Sequence, residues 1–220
     1  VRDDFQTLNN PQVDRPQQVD RRLRALGDAL VGVRTLLVLD ASGVAVASNQ
    51  AQLIGNDFSQ RAYFQNARLL GDSARLQISK PFPSAIDNMA ISVVVKSRVD
   101  ARGEFAGIVV ATLKPDFLSV LLNSVRYADD MRAAIVHSDG YLSQVSPIED
   151  GVIGADVGQP GGFFDRHRAS GQAATQMAGA DPVTGMPRFM ASRTIKSQDL
   201  TLEGTWVAEV SRDEASIFAD

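Results

Sequence analysis

The sequence contains one pattern twice, TLLVLDASGVAV at residues 35–46 and RAAIVHSDGYLS at residues 132–143. Each copy starts with an apolar run, passes a turn containing Asp, Ser and Gly, and continues into a second short strand-like segment. Short apolar runs on either side of such a turn are typical of β-hairpins. The chain therefore predicts two similar hairpins that begin 97 positions apart.

Other segments recur in the same order. Their offsets lie between 97 and 100 residues, and the pairs are Ile54–Asp57 with Ile153–Asp156, Ala62–Phe64 with Gly162–Phe164, Ile91–Val95 with Phe189–Arg193, and Gly107–Leu113 with Gly204–Val210. Ordered echoes at a near-constant offset indicate two copies of one structural unit. Each copy predicts a hairpin, a helix and antiparallel strands. We therefore expect an α+β fold of two tandem modules, each a sheet with helices on one face.

The segment before the first hairpin is predicted to be a helix. Between Gln17 and Leu30, apolar residues recur at helical spacing and alternate with Arg and Asp, which is the pattern of an amphipathic helix. The expected organisation is an N-terminal helical segment at residues 1–33, a first module at 34–125 and a second module at 126–220.

Composition excludes several functions. The chain has no Cys and two His among 220 residues, so a disulfide framework, a cysteine nucleophile and a His-rich metal site are excluded. A net charge of −4 argues against general binding of nucleic acid. The sequence has no Gly-x-Ser-x-Gly, His-Glu-x-x-His, phosphate-binding or dinucleotide-binding motif. We expect no catalytic residues, no metal and no cofactor in this chain.

The motifs resemble those of double Cache sensor domains, the paired PAS-like ligand-binding modules of bacterial membrane receptors. The resemblance covers nearly the whole chain, and the segments that carry it are Leu37–Gly43, Ile54–Asp57, Arg61–Phe64, Ile78–Pro81, Val94–Gly103, Phe105–Leu113 and Pro115–Phe117. It implies an extracytoplasmic, periplasmic domain of a protein of the inner membrane.

The resemblance also implies the surroundings of the domain. Residues 1–8 would end a helix that leaves one membrane span, and Ser211–Ala215 would lead toward a second span. The output would be a diguanylate cyclase or a histidine kinase of a two-component system. The N-terminal helix could pack against a second copy, so a homodimer is one alternative.

In such receptors the membrane-distal module holds the small-molecule pocket, and an Arg followed by aromatics two and three residues later grips a ligand carboxylate. Arg61, Tyr63 and Phe64 match this pattern. A guanidinium offers a planar fork for a carboxylate, and a tyrosine hydroxyl adds one donor. Phe64 is expected to form the wall or the core. The alternative is that Arg61 is a solvated helix residue and that both aromatics belong to the core.

Three further residues are candidates for the same pocket. Lys80, before a loop with Pro81 and Pro83, would place a second cation beside Arg61, with an exposed lysine as the alternative. Ser79 is a candidate hydroxyl donor. Ser92 interrupts an apolar strand, so its hydroxyl is expected to pair with a ligand or with the backbone.

The sequence departs from the amino-acid-binding members at two places. An aromatic residue of those members is Asn56 here, and their amine-binding Asp has no clear counterpart, with Asp87 and Asp100 as candidates by neighbourhood only. An ammonium group needs such partners to be desolvated. We therefore expect a carboxylate without an amine.

The second module does not keep the Arg61 pattern, because the matching positions are Pro160 or Gly161. It is expected to relay a conformational change across the membrane. The alternatives are a ligand-free structural or dimerisation spacer of a receptor, and an amino-acid-binding chemoreceptor domain.

Overall fold

The structure is a computed structural model that describes residues 16–71, 74–181, 184–196 and 201–218, with side chains from residue 19 onward. The helical stretch predicted within residues 2–8 lies outside these ranges. In chain order the elements are α1 (Pro16–Ala29), β1 (Val33–Leu39), β2 (Ala45–Ser48), a 3₁₀ turn (Ala51–Leu53), α2 (Ala62–Leu70), β3 (Arg75–Ile78), β4 (Phe82–Pro83), β5 (Ala90–Ile91), β6 (Val93–Val99), β7 (Phe105–Leu113), α3 (Pro115–Ser124), β8 (Arg132–His137), β9 (Leu142–Ser146), α4 (Phe163–Ser170), β10 (Ala174–Ala180), β11 (Pro187–Ile195), β12 (Thr201–Glu203), β13 (Trp206–Asp213) and α5 (Glu214–Ile217).

The described residues form two compact units. The first contains residues 16–79, 93–114 and 201–203, and the second contains 80–92, 115–196 and 204–218. Helix α3 therefore belongs to the second unit, whereas the sequence placed residues 115–125 in the first module. No helix in the described part of the chain is both long and apolar enough to cross a membrane.

The first unit is built on a six-stranded sheet in the order β12-β3-β6-β7-β1-β2. Strand β12 runs parallel to β3, and the other neighbours are antiparallel. Hairpin β1–β2 is the one predicted from residues 35–46. Ser92 separates the short strand β5 from β6.

Helices cover both faces of this sheet. On one face, α1 inserts Leu23 between Leu36 and Val38 of β1 and Val109 of β7, all of them buried. On the other face, α2 packs against β6 and β7, and its Ala67 carbonyl accepts a hydrogen bond from Ser97 Oγ at 3.2 Å. The expectation of helices on one face was therefore wrong. In β1 the five residues from 35 to 39 are all buried, as expected for a strand enclosed on both sides.

The second unit repeats this plan on a five-stranded sheet in the order β10-β11-β13-β8-β9. Helix α3 covers one face, with Leu122 packed among Ala133 and Ile135 of β8. Helix α4 lies on the other face, where Phe164 packs against Val136 and Val207. The short pair β4–β5 also belongs to this unit. The predicted α+β fold, with an N-terminal helix and antiparallel sheets flanked by helices, is confirmed.

The repeat extends to individual hydrogen bonds after each hairpin. An isolated antiparallel bridge joins Val44 to Asp57 in the first unit and Tyr141 to Asp156 in the second. In both units the carboxylate of that Asp accepts a hydrogen bond from the backbone amide two residues later, at 2.7 and 2.8 Å. The segments after the two hairpins therefore follow the same path.

A glycine is required at the same place in each hairpin turn. Gly43 and Gly140 have φ values of +95° and +87°, which L side chains rarely adopt. A Cβ atom on Gly43 would lie 2.6 Å from the Ser59 Cα atom, and one on Gly140 would lie 2.7 Å from the Gly158 Cα atom. Each turn therefore needs glycine both for its backbone conformation and for close packing.

This double requirement gives a stability prediction. We expect Gly140→Ala to lower the free energy of unfolding by about 2 kcal/mol more than Gly154→Ala. Both glycines have positive φ, but a Cβ on Gly154 has no atom within 4 Å. Urea unfolding of both variants measures the difference. Equal losses would show that the close approach to Gly158 does not constrain the turn.

Candidate functional site

Three of the predicted residues, Arg61, Tyr63 and Phe64, lie at the start of α2. Arg61 is the N-cap residue, with φ of −72° and ψ of 134°, and its carbonyl accepts hydrogen bonds from the amides of Phe64 and Gln65 at 2.9 and 3.1 Å. Its side chain is half-buried. Arg61 therefore stands at the N-terminal end of the helix with a partly exposed side chain.

Tyr63 and Phe64 turn into the protein. Tyr63 is 8% exposed and Phe64 is 0% exposed. Burial raises the pKa of the Tyr63 hydroxyl to about 12, and the charge of Arg61 opposes this shift. Phe64 meets the Phe105 ring edge-on, at 5.9 Å between centroids. Arg61 and Tyr63 are thus electrostatically coupled, while Phe64 is a core residue, as its predicted role as wall or core allows.

Ser79 also lies in the first unit. Its backbone amide donates to the Val93 carbonyl at 2.9 Å, and its Oγ accepts from the Val93 amide at 3.0 Å. The hydroxyl therefore continues the β3–β6 pairing by one residue. Because the oxygen acts as an acceptor here, the Ser79 hydroxyl can still donate its hydrogen to another acceptor.

Lys80 and Ser92 belong to the second unit. The Lys80 ammonium lies 3.2 Å from Asp139 Oδ2 and 4.4 Å from the centre of the Tyr141 ring. Ser92 is 8% exposed, and its Oγ has no hydrogen-bond partner in the described parts of the chain. The structure thus gives Lys80 partners that its sequence position does not reveal.

A small cavity of about 40 Å³ lies within the second unit. Strands β8, β9, β11 and β13 contribute to it, together with the segments after β9 and β10, and its lining consists of Arg132, Ala134, Leu142, Val145, Val157, Asp181, Met190, Glu209 and Ser211. Four of these residues are charged or polar. Such a wall differs from an apolar core, so this cavity is a second candidate site.

The guanidinium of the cavity is already paired. Arg132 Nη1 donates to Asp181 Oδ2 at 3.1 Å, and Nη2 donates to Glu149. Asp181 also accepts from the Thr184 amide through Oδ1 at 2.9 Å. Two carboxylates therefore pair with Arg132. Glu209 also lines the cavity, but among the described residues it makes no ion pair with this guanidinium.

Glu209 is buried and has few hydrogen-bond partners. It is 6% exposed, and one oxygen accepts from Ser192 Oγ at 3.2 Å. Among the described residues the other oxygen has no hydrogen-bond partner. Burial raises the pKa of Glu209 to about 7, the Ser192 hydrogen bond lowers it, and the nearby charge of Asp181 raises it further. The carboxyl thus loses its proton near neutral pH.

Sequence reasoning missed this cavity because its polar residues are far apart along the chain. One signal was present. Glu209 follows three apolar residues, Trp206 to Ala208, in its strand, and it occupies the same face as buried Val207. No group of three or more His, Cys, Asp or Glu side chains among the described residues is arranged to hold a metal ion.

Comparison with solved structures identifies the architecture. The extracellular domain of rpHK1S-Z16, a protein described as a histidine kinase, matches with a TM-score of 0.83 and 23% identity, over 99% of this chain and 86% of that chain. The ligand-binding domain of the Pseudomonas aeruginosa amino acid chemoreceptor PctB, in complex with L-Arg, matches with a TM-score of 0.68 and 15% identity, over 98% and 85%.

This chain has the fold of extracellular receptor domains. A third match is the ligand-binding domain of the Pseudomonas fluorescens chemoreceptor CtaA in complex with L-alanine, with a TM-score of 0.64 and 19% identity, over 96% of this chain and 84% of that chain. The resemblance to double Cache sensors is confirmed at the level of the fold. No family model and no curated protein sequence matches the chain.

The raised pKa of Glu209 gives a prediction for stability. Its folded-state pKa of about 7 lies above the ordinary value of 4.5, so the folded protein keeps a proton that the unfolded chain releases. The stabilising contribution of this Glu209 proton to the folded protein is fully present below pH 4.5 and is lost as pH rises through 7. We expect Glu209→Gln to unfold like the wild type at pH 4 to 5, and to be more stable at pH 8, by up to about 3 kcal/mol.

Urea unfolding at pH 5 and pH 8 measures this difference. The matched control is Asp150→Asn, which removes one exposed carboxylate from the same unit. The control is expected to change by no more than about 0.5 kcal/mol at either pH. A loss of stability of Glu209→Gln at pH 8 would contradict the interpretation that the buried charge of Glu209 destabilises the folded protein.

Proposed function

We propose that this chain is the ligand-sensing domain of a bacterial membrane signal-transduction receptor and that it lies in the periplasm. The observation that carries the proposal is the match in fold to an extracellular receptor domain over 99% of the chain, with a TM-score of 0.83. Two chemoreceptor domains with the same fold hold amino acids, L-Arg and L-alanine, in their solved complexes. The proposed activity is therefore binding, with signalling as its consequence.

We propose that a small carboxylate binds the first unit at Arg61 and Tyr63. Arg61 is half-buried at the start of α2, and Tyr63 lies close enough for the charge of Arg61 to affect the pKa of its hydroxyl. A guanidinium binds a carboxylate through two parallel hydrogen bonds, and the protonated phenol supplies one more donor at any physiological pH. Partial burial strengthens both interactions relative to water.

The amine of an amino acid would need a carboxylate in the first unit. Asp100 was one candidate. Its Oδ1 accepts hydrogen bonds from the amides of Arg102 and Glu104 at 2.8 and 3.0 Å, so it supports the turn between β6 and β7. This use of Asp100 favours a carboxylate ligand without an amine.

We further propose that ligand binding acts by shifting a conformational equilibrium. Strand β7 contacts both α2, which carries Arg61, and the strand that packs against α1. A change in how α2 seats on the sheet would therefore reach α1 through one layer of buried side chains. Packed layers of this kind respond by small displacements of whole helices.

The carboxylate proposal predicts a selective effect of Arg61. We expect thermal-shift screening with formate, acetate, propionate, lactate, succinate and malate to find at least one that stabilises the wild-type protein. Arg61→Ala is expected to weaken its binding by about tenfold to a hundredfold, the usual effect of losing hydrogen bonds to a charged group. Calorimetry with the best carboxylate measures the two dissociation constants.

Arg68→Ala is the control for this measurement. Arg68 lies on the same helix but is exposed in its last turn, so the variant loses the same charge without touching the proposed pocket. Its affinity is expected to equal that of the wild type. Full binding by Arg61→Ala would place the ligand elsewhere, and no response to any carboxylate would favour a structural spacer.

A further inference from the structure

The cavity of the second unit occupies a position that the first unit fills with apolar side chains. Glu209 lies opposite Ala134 of β8 and Ser192 of β11. By strand pairing, the residue of the first unit at this place is Val110, which lies opposite Leu37 of β1 and Val95 of β6, and all three are buried. This pairing differs by two residues from the sequence match of Gly107–Leu113 with Gly204–Val210.

The fold therefore does not require a carboxylate at this point. The first unit has a valine at the same place, in a sheet whose central strands have the same order. A buried carboxylate without a cation is unfavourable for folding. Groups that are perturbed in this way and line a cavity are often found at functional sites.

Carboxylates outnumber cations around the cavity. Arg132 is paired with Asp181 and Glu149, and Arg188 is paired with Asp213 and donates to Ser211 Oγ at 2.9 Å. Glu209 has only the hydroxyl of Ser192 among the described groups. The unmatched charge of the cavity is therefore negative.

We propose that this cavity binds a small primary alkylammonium ion, with the Glu209 carboxylate as its ion-pair partner. The ammonium would occupy the side of the cavity next to the unpaired oxygen of Glu209. Its hydrocarbon part would contact Leu142, Val145, Val157 and Met190, which form the apolar wall. This site is independent of the carboxylate site proposed at Arg61.

The volume of the cavity limits the size of the ligand. A space of about 40 Å³ accepts roughly three to four water-sized groups. Ethylammonium and propylammonium have three and four non-hydrogen atoms and fit this limit, whereas hexylammonium exceeds it. Since one side of the cavity is apolar, ethylammonium is expected to bind more tightly than the bare ammonium ion, with about a fourfold gain for each buried methylene group.

Binding also depends on pH, because a proton competes with the ammonium for Glu209. The charged and titratable groups near this region are Arg132 of β8 with its partners Glu149 and Asp181, Arg188 of β11 with its partner Asp213, and His167 of α4. His167 is held between Thr175 and Thr194, at 2.8 and 2.9 Å. Binding at pH 5 is therefore expected to be at least about tenfold weaker than at pH 8.

The test is calorimetric titration of the full chain with ammonium, ethylammonium, propylammonium and hexylammonium chlorides at pH 8, against sodium chloride at equal ionic strength. We expect saturable binding that strengthens from ammonium to propylammonium and falls for hexylammonium. Glu209→Gln is expected to weaken binding by about tenfold or more, while Asp150→Asn keeps it. Gln has the shape of the protonated carboxyl, so this variant is expected to fold.

Three results would overturn the proposal. They are the absence of saturable binding to the wild type, equal affinity of Glu209→Gln and wild type, and equal affinity for ammonium and propylammonium. Arg61→Ala separates the two proposals, because it is expected to bind propylammonium normally whether or not the carboxylate site exists.

Discussion

Each of the two large sheets is covered by helices on both faces, and this constraint governs which side chains its strands can carry. In the first unit three consecutive residues of β7, Ile108, Val109 and Val110, are buried because α1 and α2 exclude water from opposite sides. A polar group placed on such a face must find its partner inside the protein. Every buried charge is therefore either matched within the unit or available to a ligand.

The two units meet this constraint differently. At matching positions of the central strands, the first unit has Val110 and the second has Glu209, next to a cavity. In the first unit the candidate binding group is Arg61, which lies at the N-terminal end of α2 with a half-buried side chain. The two candidate sites consequently favour ligands of opposite charge, an anion at Arg61 and a cation at Glu209.

The repeated hairpins could be predicted because turn residues and apolar runs act locally. The second helix layer could have been predicted from residues 35–39, which are all apolar except Thr35, since a strand with one exposed face alternates. Long-range contacts could not be predicted. The pairing of Lys80 with Asp139 and the joining of Arg132, Asp181 and Glu209 around one cavity follow from chain folding, and no spacing in the sequence encodes them.

The two units are proposed to contain separate ligand sites of opposite charge preference. Methyl-selective NMR of the full chain, with propylammonium added first and a carboxylate ligand second, tests it in one sample. Propylammonium should shift the methyl signals of Met190, Val145 and Val157, and the carboxylate should shift signals near α2, such as Ala62 and Ala67. Methyl signals that move together for both ligands, or that stay unchanged around Met190, would contradict it.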